Sequence, residues 1–270
     1  MTKHIPTKRI TPSIQRKDLF IIKFIIYQKN ICLAGNSDRY IISEVDMKII
    51  NTYSFKGGED YIQNKYPNEL GEIVRTIDLL DATTCLSKIS REKTMKGKLL
   101  FSPRDLNHFL KMSLYALGWT QRAKGKRKAY VEPRHSFGEG RFREMDGMKN
   151  KVGLEIQFGK YAFMGYDIFS KMVIFKNLGY IDCGIEIVPS HDLVKQMSTG
   201  VSSFEQLLID FKHRGESNID IPVFVIGIGL TDTERDSMKE LQELFSSKRT
   251  EALKLIRLRR HKGALPGPKK

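Results

Sequence analysis

The sequence predicts an α/β domain, a central mixed β-sheet flanked by helices, and three observations carry that prediction. Segments with helical apolar spacing alternate with segments of strand spacing through most of the 270-residue chain. Residues 151–158 set Val152, Leu154, Ile156 and Phe158 against Gly153, Glu155 and Gln157, the two-residue period of a half-buried strand. Residues 221–228 are apolar on both faces, as in a strand covered from both sides.

In chain order, the apolar runs at 19–27 and 40–50 fit helix or strand equally well. Across 68–89, Leu70, Ile73, Val74, Ile77, Leu80 and Leu86 recur at three- and four-residue steps, which predicts an amphipathic helix. A second helix starts at Ser102, an N-cap candidate with Pro103 at the first helical position. Leu106, Phe109, Leu110, Leu114 and Leu117 follow on one face until Gly118. After a turn-rich stretch around Pro133, Gly138 and Gly140 comes the strand at 151–158, then a helix over 159–178 closed by Gly179. A strand at 180–188 is stopped by Pro189, a short helix spans 203–213 before Gly215, and the strand at 221–228 follows. Thr231 or Thr233 caps a last helix that runs to about Leu258.

The chain carries a net charge of +15, and it is unevenly placed. Residues 1–18 hold five lysines and arginines against one acid, residues 119–160 eleven against five, and residues 247–270 nine against one; the rest is slightly acidic. Three basic segments on a near-neutral body suit a protein that meets a phosphate backbone. The termini also suit solubilising tails, so the expected organisation is a basic arm (1–18), a single domain (19–260) with its core at about 130–230, and a basic tail (261–270). The internal run holding Lys124, Lys126 and Arg127 is read as a nucleic-acid contact, against a plain solvated loop. Three scattered cysteines (Cys32, Cys85, Cys183) indicate neither a disulfide framework nor a zinc site. No stretch has the length and apolarity of a membrane span, and a cytoplasmic protein is expected.

Chemistry concentrates around the strand at 151–158. Glu155 and Gln157 share one face of it, and Asp146 stands at its approach. Two carboxylates and the backbone carbonyl of Ile156 form a hard-oxygen set suited to Mg²⁺, a metal able to activate water and offset charge growing on a phosphodiester. The alternative is a solvated strand face. No histidine pair has metal spacing, Gly227-Ile-Gly229 is not a phosphate loop, and Ser190-His191-Asp192 reads as a helix start rather than a nucleophile. Trp119 reads as a packing anchor.

The order of several blocks narrows this. Residues 146–160 (Asp-Gly-Met-Lys-Asn-Lys-Val-Gly-Leu-Glu-Ile-Gln-Phe-Gly-Lys), 180–189, 197–201 and 214–222 resemble the type II restriction endonucleases of the BglII and BstYI group, relatives of BamHI in the nuclease superfamily marked by proline-aspartate and acid-x-lysine. The resemblance covers about 130–230. It implies a restriction-endonuclease-like fold, a homodimer cutting double-stranded DNA at a short palindrome, a Mg²⁺ cofactor and a partner DNA methyltransferase. Helices within 71–89 and 103–117 are implied at the dimer interface. By position it makes Asp146 and Glu155 metal ligands, with Gln157 where most of the superfamily has lysine. Met145 replaces the usual proline. A glutamine holds water without accepting its proton, so the proton goes to bulk water, a hydroxide on the metal or a substrate phosphate. Glu132 is the candidate upstream acid, with Glu139 and Glu144 as rivals. Lys160 is implied as a base contact, against a surface lysine at a helix start, and Ser198 and Thr199 as further base contacts, against local capping. Arg214 is either a phosphate clamp or a helix-end cation. The competing function is a non-catalytic basic DNA- or RNA-binding protein in which Glu155 and Gln157 are structural.

Overall fold

The computed structural model describes residues 45–122, 130–250 and 253. Strand β1 (Lys48–Phe55) leads into helices α1 (Gly58–Lys65) and α2 (Pro67–Asp78), and a hairpin of β2 (Leu86–Ile89) and β3 (Leu99–Phe101) precedes α3 (Pro103–Ala116). The short strands β4 (Gln121–Arg122) and β5 (Tyr130–Val131) pair, then come the hairpin β6 (Arg134–Gly138) and β7 (Arg141–Glu144) and the strands β8 (Gly147–Lys149) and β9 (Val152–Ile156). A helical stretch follows: α4 (Tyr161–Tyr166), a π-helical turn at Asp167–Lys171, and α5 (Met172–Asn177). Strand β10 (Cys183–Pro189), helices α6 (His191–Val194) and α7 (Phe204–Arg214), strand β11 (Val223–Gly229) and helix α8 (Asp232–Ser247) complete the order. The run at 19–27, the arm, the tail, Leu258 and the basic residues Lys124, Lys126 and Arg127 lie outside the described residues.

The main sheet has the order β1-β11-β10-β9-β8. Its three central strands are parallel, and β1 and β8 flank them antiparallel, which makes it the mixed sheet expected. One face packs Val152, Leu154, Ile156, Ile185, Ile187 and Ile226 against Leu106, Leu110 and Leu114 of α3. The other packs Val188, Val223 and Val225 against Met164, Ile168 and Met172 of the π-broken helix and Phe204, Leu207 and Phe211 of α7. Burial of side chains on both faces supplies the main driving force of the fold.

Three expectations change. The last helix ends at Ser247, short of the expected Leu258, where Lys248 leaves helical geometry. The segment 68–89 is not one helix: α2 ends at Asp78, a 3-10 turn follows at Ala82–Cys85, and 86–89 is β2. Asp81 Oδ1 accepts from Thr83 N at 3.0 Å and from Thr83 Oγ1 at 2.6 Å, and Thr84 Oγ1 donates to the Asp81 carbonyl at 2.7 Å. These side chains satisfy backbone groups that a continuing helix would have paired, so they end it. The strand at 151–158 is also not half-buried, because every residue of β9 is buried and its polar face is roofed by helix. Elsewhere the reading holds. Ser102 Oγ caps α3 by accepting from Asp105 N at 3.3 Å, and Gly118 takes φ 91° just past its end. The Ser203 N–H donates to Gln206 Oε1 at 3.0 Å at the start of α7, and Thr231 and Glu234 form a capping box on α8.

Candidate active site

Asp146 and Glu155 are brought together by the β8–β9 pairing. Gly147 lies opposite Leu154, so one step further Asp146 stands across from Glu155. The Ile156 N–H donates to Asp146 Oδ2 at 2.9 Å, and Lys111 Nζ of α3 sits 2.5 Å from Oδ1. The hydroxyl of Tyr115, one turn along α3, donates to the Asp146 carbonyl at 2.7 Å. Burial, and after it the charges of Glu132 and Asp146, push that phenol well above its ordinary value, so it remains a donor. One layer of helices thus fixes Asp146, whose side chain keeps 21% of its exposure.

The opposite layer fixes Glu155, which is only 2% exposed. Lys171 Nζ lies 2.8 Å from Glu155 Oε1 and 2.7 Å from Asp167 Oδ1, both acids being buried and the lysine partly so. Asp167 and Lys171 are the two ends of the π-helical turn, and such turns widen a helix locally and re-aim its side chains. Gly153 and Gly184 let this happen at short range. A Cβ on Gly184 would lie 2.3 Å from Met172 Sδ, and one on Gly153 would lie 2.6 Å from Met145 Cε. Gln157 Nε2 donates to Asp167 Oδ2 at 3.4 Å.

The electrostatics follow from burial. Desolvation, reinforced by the Asp146 charge, raises the Glu155 carboxyl well above the ordinary range, and desolvation raises Asp167 as well. Desolvation alone would lower the Lys171 ammonium, but the Glu155 and Asp167 carboxylates outweigh it and hold it above its usual value. Glu186, paired in register with Glu155 on β10, is fully buried and likewise raised, by desolvation first and then by Asp167 and Glu155. Four carboxyl groups therefore meet two ammonium groups, Lys111 and Lys171.

That acid excess, the orphaned buried oxygens of Glu186 and the hard-oxygen donors Asp146 and Glu155 fit a divalent cation such as Mg²⁺. No cluster of three or more His, Cys, Asp or Glu with metal-binding geometry occurs among the described residues.

The remaining candidates are scattered around this centre. Glu132 is half-buried near Tyr115. Its rivals are otherwise engaged: Glu144 pairs with Arg134, and Glu139 pairs with Arg141 at the exposed tip of the β6–β7 hairpin. Lys160 is exposed just before α4. Ser198 Oγ accepts from Lys88 Nζ, and the Thr199 N–H donates to Glu92 Oε2 at 3.0 Å. Ser202 N–H donates to Gly159 O at 3.1 Å, which ties the Ser198–Thr199 loop to the chain just before Lys160. Arg214 is committed internally: it forms a two-pronged pair with Asp220 at 2.7 and 2.8 Å and lies 4.1 Å from the Phe169 ring centre. That clasp accounts for it without a phosphate. Sequence reasoning missed Lys111, Asp167, Lys171 and Glu186. The four-residue spacing of Asp167 and Lys171 on a helix and the repeated Gly-x-Glu of two strands were available signals, whereas nothing marked Lys111.

The chain matches the family model described as restriction endonuclease BglII/BglIII over residues 50–228. No curated protein sequence matches it. Among solved structures, that of BglII complexed with a DNA 16-mer is similar at 16% identity and a TM-score of 0.48, covering 66% of this chain and 76% of the other. Free BglII is similar at 16% identity and a TM-score of 0.41, covering 66% and 77%. No helix among the described residues is long and apolar enough to cross a membrane. With more than half of its length in the family match, the chain belongs to the BglII/BglIII restriction endonuclease family and is a type II site-specific deoxyribonuclease.

Proposed function

We propose that this endonuclease cuts double-stranded DNA at a short palindromic site as a homodimer, with Mg²⁺ as its cofactor. The observation that carries this is the convergence of Asp146 and Glu155, the former oriented by the Ile156 N–H at 2.9 Å. Asp146, Glu155 and the Ile156 carbonyl would hold the cation, which when bound supplies positive charge to the phosphodiester and makes water a better nucleophile.

The chain's own residues do the rest. Tyr115 holds Asp146 in place through the Asp146 backbone carbonyl. Gln157, steadied by Asp167, orients a water through its amide while its proton leaves by another route. Glu132 is the third acid of the site. Lys160, Ser198 and Thr199 read base edges, and Lys124, Lys126 and Arg127 attract the phosphate backbone. Arg214 is left out of this set because Asp220 holds it.

One site cuts one strand, so a two-fold dimer supplies the second site on the antiparallel strand. The apolar faces of α2 and α3 lie in the core, so their contribution to a dimer comes from their outer faces. Residues 19–260 act as one domain between a basic arm and tail. An enzyme that cuts duplex DNA in the cytoplasm needs its site protected there, which implies a cognate DNA methyltransferase. The test is to digest a sequenced, unmethylated phage genome with Mg²⁺ and sequence the ends. One palindrome at every cut, with the same stagger on both strands, is expected; duplex binding without cleavage would overturn the proposal.

A further inference from the structure

Glu186 lies beside Glu155 on the same face of the sheet, wholly buried, and neither of its carboxylate oxygens has a hydrogen-bond partner among the described residues. Such a group is costly, because burial removes the hydrogen bonds of water and nothing replaces them. The ammonium of Lys171 sits on its in-register neighbour, Glu155. An ammonium has three donors, and that of Lys171 forms ion pairs with Glu155 at 2.8 Å and Asp167 at 2.7 Å. In this arrangement Lys171 covers an oxygen of the carboxylate that the proposed cation needs.

We propose that Glu186 is a second berth for Lys171: when a divalent cation takes Glu155, the ammonium releases Glu155, keeps Asp167 and closes on Glu186. This rests on the metal-binding reading of Asp146 and Glu155. Two cations on one buried carboxylate repel strongly, so one must leave. A lysine on a flexible four-carbon stem turns its head at little cost when a second acceptor waits nearby. The berth gives the orphaned oxygens of Glu186 a role, and Lys171 becomes a resident competitor that keeps the acid cluster balanced without metal.

The test is calorimetric titration of the full chain with Ca²⁺, without DNA. Wild type binds and Asp146→Asn does not; binding by Asp146→Asn at wild-type affinity would sink the metal reading and this inference with it. Lys171→Met tightens binding about tenfold by removing the competitor, and Glu186→Gln weakens it about tenfold by removing the berth. In the Lys171→Met background Glu186→Gln changes affinity by less than about threefold, since Glu186 acts through Lys171. An equal loss in both backgrounds means a plain charge effect and overturns the proposal, as does an unchanged affinity in Glu186→Gln while Asp146→Asn still abolishes binding. Should Lys171→Met not fold, melting of wild type and Glu186→Gln with and without Ca²⁺ gives an independent reading. A smaller Ca²⁺-induced rise in Tm for Glu186→Gln supports the berth, and an equal rise contradicts it.

Discussion

Val152-Gly-Leu-Glu-Ile156 and Cys183-Gly-Ile-Glu-Ile187 are near-copies in sequence and lie side by side in register, yet their glutamates lead different lives. Glu155 sits opposite Asp146 and carries the Lys171 ammonium, whereas Glu186, one strand further into the sheet, has no hydrogen-bond partner among the described residues. The backbone sets the two carboxyls equally. What differs is what the neighbouring strand and the π-broken helix present to each. An identical strand pattern therefore fixes burial and facing direction but not role.

Three changes of stability probe this contrast. Lys171→Met removes the shared cation and leaves Glu155 and Asp167 buried and uncompensated, so it should cost about 3–5 kcal/mol in chemical denaturation. A cost near zero would mean that neither pair holds the helix down. Glu186→Met replaces an unpartnered buried carboxyl with an apolar chain of similar size and should stabilise by about 1–3 kcal/mol at neutral pH. Its size depends on pH. The folded carboxyl is raised above its ordinary 4.5, so its stabilising contribution is complete below that value and is lost as pH rises towards the folded value. The advantage of the Met variant should accordingly grow as melts are moved from acid to neutral pH; a constant gap would show that Glu186 titrates normally. The smallest effect is the control. Glu72 is fully partnered, by Lys149 Nζ at 2.6 and 2.8 Å and by Trp119 Nε1 at 2.9 Å. Glu72→Gln should destabilise by about 1–2 kcal/mol, opposite in sign to Glu186→Met. A stabilised Glu72→Gln protein would blur the distinction between partnered and orphaned carboxyls.

The sheet and most helices were readable in the sequence because their signals are local. Ser102-Pro103, Ser203 with Gln206, Thr231 with Glu234, and the apolar run of β11 each announce a boundary or a buried strand. The turn after α2 was hidden because Asp81, Thr83 and Thr84 act through side-chain hydrogen bonds that apolar spacing does not register. At the site, Asp146, Glu155 and Gln157 stood out through their spacing around one strand. Lys111 and Lys171 reach them from helices 35 positions before Asp146 and 16 after Glu155, and only the packed layers make them neighbours. The burial that makes Glu155 responsive is a property of those layers as well.

In the proposed reaction Glu155, with Asp146, carries the cleavage chemistry through a divalent cation. The measurement that tests it most directly is single-turnover cleavage of duplex DNA by wild type and by Glu155→Gln, with Mg²⁺ and with a chelator, on protein shown by melting to be folded. Wild type should cut with Mg²⁺ and not with chelator, and folded Glu155→Gln should be slower by on the order of a thousandfold or more. Cleavage by Glu155→Gln at the wild-type rate, or by wild type in the presence of chelator, would contradict the claim.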